Sequence, residues 1–139
     1  MAADVPGTYV LEIELPAPAD MVVGALGRVR FDAGRYAYVG SAMNGLRRRI
    51  ARHLRADKTV HWHIDYLLRE ATVARVWHAP GERRECEVAR VLAARFAAVD
   101  KFGCSDCRCS SHLFGVDGEA LSRLLVHHGL SVSSPERWR

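Results

Sequence analysis

The sequence predicts a single α+β domain, a mainly antiparallel sheet flanked by helices. Three observations point there. Short β-rich runs crowd the first third of the chain, amphipathic helical patterns follow, and no linker or internal repeat divides the two. With 139 residues the chain has the length of one ordinary domain, so residues 1–139 are read as one unit with a core over 7–128.

Gly7–Leu15 alternates, is rich in β formers such as Tyr9, Val10 and Ile13, and meets the breaker Pro16-Ala17-Pro18-Ala19-Asp20, which makes a strand and a turn. Met21–Val23, Arg28–Phe31 and Arg35–Val39 are further β-like runs. Gly24, Gly27 and Asp32-Ala33-Gly34 separate them, the last with hairpin-turn chemistry. From Asn44, a capping residue type, Leu46, Ile50 and Leu54 recur at helical spacing through Arg55. A second helix is expected over His61–Arg69, with Ile64, Leu67 and Leu68 inward, then a strand over Thr72–Trp77 that stops at Ala79-Pro80-Gly81. Arg84–Val99, alanine-rich with Val88, Val91, Leu92, Ala94 and Phe96, predicts the longest helix. Phe102–Ser111 reads as a Cys/Gly/Ser loop, Ser111–Val116 as a strand and Gly118–His128 as a last helix ended by Gly129, with 131–139 a loose tail.

A hydrophobic share of 49% with 26% charged residues is ordinary for a soluble protein, and no apolar run approaches the roughly 18 residues of a membrane span. The first six residues lack a basic start and an apolar stretch, so the expectation is a cytoplasmic protein with no membrane partner. The net charge of +4 says little about partners, but its distribution says more. Arg47, Arg48, Arg49, Arg52, Arg55 and Lys58 cluster, whereas Glu12, Glu14, Asp20 and Asp32 lie in the preceding strands, which predicts one positive face.

Tyr38-Val39-Gly40-Ser41-Ala42 runs directly into the arginine-rich helix, Gly7-Thr8-Tyr9 opens the first strand, and Glu85-Cys86-Glu87-Val88-Ala89 lies on the later helix. In order and context these pieces resemble the GIY-YIG nuclease superfamily, with Gly7-Thr8-Tyr9 and Tyr38-Val39-Gly40 as its two motifs. The resemblance spans about Gly7–Phe114. The long interval between Tyr9 and Tyr38 implies an additional strand pair. Together with His61–Leu68, Phe102–Cys107 and Ser110–Leu113, it resembles the small stand-alone Uri-type branch. Ser110, Ser111 and His112 stand where many relatives carry an asparagine.

The resemblance implies a metal-dependent endonuclease cutting DNA, single-stranded or branched, with RNA left open. Tyr9, Tyr38, Arg49, His53 and Glu87 would form the catalytic site. Glu87 would hold Mg²⁺ or Mn²⁺, a hard ion that one carboxylate, waters and substrate oxygens can satisfy. Arg49 offers a planar guanidinium to two phosphate oxygens. Tyr9 or Tyr38 would activate water once positive charge lowers its pKa, and His53, one turn from Arg49, would orient it or relay a proton. Ser41, Arg47, Arg48, Arg52, Arg55, Lys58 and His61 would hold the nucleic acid.

Each of these residues also has a plainer reading. Glu87 could be a solvated helix residue paired with Arg83 or Arg90, the tyrosines core packing, and the arginines a solvated face. The chain would then be a non-catalytic nucleic-acid-binding module in which Trp62 and the tyrosines stack. Cys104, Cys107, Cys109 and His112 have the types and closeness of zinc ligands, with Cys86 a further thiol, against reduced thiols packed in a loop; a zinc-stabilised protein-interaction domain is the third reading. His61 and His63, two apart, diverge on a helix, and His127 and His128 suit a helix C-terminus better than a metal.

Overall fold

A computed structural model describes residues 4–103 and 109–139. Its centre is β1, Gly7–Leu15, which pairs antiparallel on one edge with β4, Gly34–Ala42, and on the other with β5, Thr72–Pro80. Every β1 residue except Glu14 is buried, because helices cover both faces of the sheet. Alternation divides the strand between two cores. Tyr9, Leu11, Ile13 and Leu15 join Leu46, Ile50, Ile64 and Leu67, whereas Val10 joins Val39, Trp77, Val88, Leu92, Leu121 and Leu125. The first core lies under α1, Leu46–Leu54, and α2, His63–Leu67; the second lies under α3, Glu85–Ala93, and α4, Gly118–His127.

The predicted additional strand pair forms as β2, Ala19–Val22, and β3, Arg28–Phe31, a two-stranded ribbon outside the main sheet. Phe31 roots it, buried edge-on against Tyr36 and Phe102. The turn at 32–34 therefore leads from the ribbon into β4 instead of joining two paired strands.

Four further expectations need correction. Asn44 is not the cap of α1: the Asp4 carboxylate, distant in sequence, accepts the N–H groups of Arg47 and Arg48 at 2.9 and 3.0 Å. Gly45, at φ 132°, makes room, since a Cβ there would lie 2.2 Å from Asp4 Oδ2. The second helix is only five residues long. The helix expected to run to Val99 ends at Ala93, and Ala97–Ala98 form β6, paired with β7, Leu113–Gly115. Alanine propensity is a weak preference, and an edge offering hydrogen bonds overrides it. The tail is not loose. Ser131–Ser133 form β8 against β5, and Trp138 is buried, its Nε1 donating to Ser133 Oγ at 2.8 Å and its ring edge-on to His78. The sheet order is β6-β7-β4-β1-β5-β8, with antiparallel pairing throughout.

A buried carboxylate fixes the second core. Glu12 is fully buried and accepts hydrogen bonds from Arg35, Arg75 and Trp77 Nε1. Burial alone would push its pKa up, but these donors outweigh it and the net shift is downward.

No helix among the described residues is long and apolar enough to cross a membrane.

Candidate functional site

The β1–β4 register places Tyr9 opposite Gly40, so both sequence motifs converge at one end of the sheet. Tyr9 lies over the glycine: a Cβ at Gly40 would be 2.4 Å from Tyr9 Oη. No side chain but hydrogen fits there. Gly7 is similarly constrained, since a Cβ would sit 2.5 Å from the Ala79 carbonyl oxygen. Thr8, between them, faces the opposite way, and its Oγ1 accepts the Arg84 N–H at 2.8 Å, tying β1 to the start of α3.

Around this junction opens a cleft of about 470 Å³, lined by Tyr9, Tyr38, Gly40, Ser41 and Arg49, by His61, Trp62 and His63, by Arg83, Glu85 and Cys86, and by Gly103 and His112. Stretches far apart in the chain contribute, from Tyr9 on β1 to His112 before β7. The sequence-predicted Tyr9, Tyr38, Arg49, Ser41 and His61 meet here.

Arg49 projects from α1 with Nη1 donating to the Ser41 carbonyl at 3.1 Å and its guanidinium 4.5 Å from the centroid of the Trp62 ring. That contact holds the fork while leaving it on the cleft wall. His53, one turn on, is buried behind the cleft and contacts Tyr9 Oη through Nε2 at 2.7 Å. Burial holds the His53 imidazole down to about 3, and the nearby Arg49, Arg52 and Lys58 act in the same direction while Asp65 opposes them. It is therefore neutral. Burial also pushes both phenols well above their ordinary value; Arg49 pulls both down, while Glu85 works against it. The resting pair of Tyr9 and His53 is a neutral hydrogen bond.

Glu87 is not in the cleft. It is exposed and ion-paired one turn back with Arg84 at 2.7 Å, and this hydrogen bond and charge hold its carboxyl below the usual range. The carboxylate that lines the cleft is Glu85, mostly shielded, 3.6 Å from Arg83 and 3.9 Å from His112 Nδ1. The two glutamates are two residues apart, roughly 200° around a helix, so they cannot share a face. The signal was present in the sequence: Glu85 is in phase with Val88, Ala89 and Leu92, which are the buried face of α3, and Glu87 is not.

Arg52 and Lys58, expected among the nucleic-acid-binding residues, hydrogen-bond within the protein. Arg52 makes a two-pronged pair with the buried Asp65, both contacts 3.1 Å, and donates to the Thr59 carbonyl. Lys58 donates to the His53 and Arg55 carbonyls at the end of α1. Arg47, Arg48 and Arg55 are exposed beside the cleft's basic helix. Asp65 also accepts the N–H groups of His61 and Trp62, so one carboxylate positions the whole 61–65 segment. Trp62, which the sequence suggests as a packing or stacking residue, carries the Arg49 and Arg52 guanidiniums 4.5 and 4.4 Å from its ring centroid.

Of the predicted zinc ligands, Cys104 and Cys107 lie outside the described residues. Cys109 and His112 come together with Cys86. Ser111 Oγ bonds the Val99 and Leu113 carbonyls, and Ser110 is exposed, so neither serine faces the cleft. Of the donors that line the cleft, the Glu85 carboxylate, the two phenols and Ser41, whose buried Oγ has no hydrogen-bond partner among the described residues, are oxygens that suit a hard cation, while His61, His63, His112 and Cys86 offer nitrogen and sulfur.

No curated protein and no solved structure matches the chain. A family model does, over residues 8–131: the family described as domain of unknown function DUF123, to which the chain belongs.

Proposed function

We propose that this DUF123 family member is a metal-dependent endonuclease of GIY-YIG type, hydrolysing phosphodiester bonds in DNA. The observation that carries the reading is the convergence, in one cleft, of two phenols, a guanidinium held on an aromatic ring and a single carboxylate, beside a basic helix. Each has a task in that reaction. Arg49 pairs with two phosphate oxygens as charge builds on them, already oriented by Ser41 and Trp62. Tyr9 takes the proton of the attacking water and passes its own to His53 Nε2, so the P–O bond to water forms as the P–O bond to the leaving strand breaks. Arg49 lowers the pKa of Tyr9, which favours the phenol's loss of its proton. Tyr38, in the cleft wall beside His53, orients the same water. Glu85 replaces Glu87 as the residue that would hold Mg²⁺ or Mn²⁺, and the ion, when bound, supplies positive charge for the leaving oxygen. Arg47, Arg48 and Arg55 carry the flanking backbone.

The burial of both phenols favours one alternative, a module that binds nucleic acid without cutting it. End-labelled single-stranded, duplex and forked DNA, each with Mg²⁺, Mn²⁺ or EDTA, separates the two. Cutting that requires the metal and falls in Arg49→Ala supports the nuclease; binding on every substrate with no cutting overturns it.

A further inference from the structure

From the meeting of Cys86, Cys109 and His112 we infer a thiolate-rich zinc site, in the cleft wall beside the cation position at Glu85, that fastens the first turn of α3 to the segment entering β7. The donor atoms of the three side chains all lie within 4.8 Å of one another. Tetrahedral zinc, with about 2.3 Å to sulfur and 2.0–2.1 Å to nitrogen, places its donors a little under 4 Å apart, so small side-chain rotations close the set. The residue types select the ion. Thiolates and imidazole suit zinc and disfavour Mg²⁺ or Ca²⁺, which take oxygen ligands.

The backbone is already held for this purpose. His112 donates its N–H to the Phe102 carbonyl at 2.8 Å and accepts from Val39 N–H at 2.9 Å, so its ring leaves from a fixed point on β4's edge. Cys86 follows Glu85 in a helix whose entry is tied to β1 through Thr8 and Arg84. Cys109 packs against the second core. Two thiolates and a neutral imidazole cancel the charge of Zn²⁺, which suits a cluster of one buried and two half-buried side chains. The two halves of the site, Cys86 on α3 and Cys109 with His112 before β7, are 23 or more residues apart and meet because α3 ends early and the chain returns through β6 to β7.

The zinc assignment stands independently of the nuclease reading. If both hold, zinc on Cys86 and His112 positions Glu85, whose carboxylate lies 3.9 Å from His112 Nδ1 in the same cleft wall.

The test measures metal, not cleavage. Tag-free protein purified under reducing conditions is analysed for zinc by plasma mass spectrometry, and metal-free protein is titrated with Co²⁺. Wild type is expected to carry about one zinc per chain and to give a thiolate-to-cobalt charge-transfer band. Cys86→Ser should lose both, while Glu87→Gln keeps both. A second measurement needs no variant to fold: in wild type alkylated and mapped by peptide mass spectrometry, Cys86 should be protected until a chelator is added. Folded wild type with neither zinc nor a cobalt band, unchanged zinc in Cys86→Ser, or Cys86 alkylated equally with and without chelator would each overturn the site.

Discussion

Gly40→Ala should damage both the fold and the cleft through a single methyl group. The new Cβ would stand 2.4 Å from Tyr9 Oη and 2.5 Å from Cζ, against an ordinary contact of about 3.5 Å, an overlap of roughly 1 Å. Tyr9 cannot swing away, being 1% exposed and tethered to His53 at 2.7 Å. The ring must tilt or β1 and β4 must part, and overpacking of this kind costs about 1–3 kcal/mol. With a urea m-value of about 2 kcal/mol/M, the midpoint of unfolding should fall by about 0.5–1.5 M. If Tyr9 acts on the water, its displacement by this distance should also lower the cleavage rate on the order of 100-fold. Gly115→Ala is the control. It lies in the same sheet with nothing within 4 Å of its Cβ, so urea unfolding should be unchanged or slightly improved. Equal stability and cleavage in wild type and Gly40→Ala would refute the packing of Tyr9 on this glycine.

Asp65→Ala should cost about 3–5 kcal/mol by denaturant unfolding, because it strands Arg52 and two backbone N–H groups at a buried point. Trp138→Ala should cost about 3 kcal/mol, where a loose tail would cost nothing; equal thermal midpoints would show the tail is not packed. His53, buried neutral with a pKa near 3 against about 6.5 unfolded, contributes stability that is complete above pH 6.5 and is lost as pH falls toward 3. From pH 7 to 5 wild type should therefore lose about 2 kcal/mol more than His53→Gln in parallel urea titrations, and identical losses would place His53 in solvent.

Most of the fold was legible because its elements carry their own period: β1 alternates and α1 repeats Leu46, Ile50 and Leu54 along one stripe. What was not legible depends on partners far away in the chain. Asp4 reaches α1 only after the chain folds back, and β6 and β8 exist because β7 and β5 offer free edges. The cleft followed the same division. Tyr9, Tyr38 and Arg49 could be placed from motif and order, whereas the choice between Glu85 and Glu87 needed the helix phase set by Val88, Ala89 and Leu92. The roles of Arg52 and Lys58 were hidden because an arginine cluster reads as a charged face until Asp65 and the α1 carbonyls are seen to occupy two of its members. Cys86, in the sequence only a further thiol beside the Cys104–His112 cluster, meets Cys109 and His112 through the return by β6.

In the proposed nuclease it is Glu85, and not Glu87, that would hold the cation in the cleft. Cleavage of forked DNA with Mn²⁺ by wild type, Glu85→Gln and Glu87→Gln tests it, both substitutions being isosteric. The expected result is a loss on the order of 100-fold or more in Glu85→Gln, with Glu87→Gln within about twofold of wild type. Full activity in Glu85→Gln, or loss confined to Glu87→Gln, would contradict it.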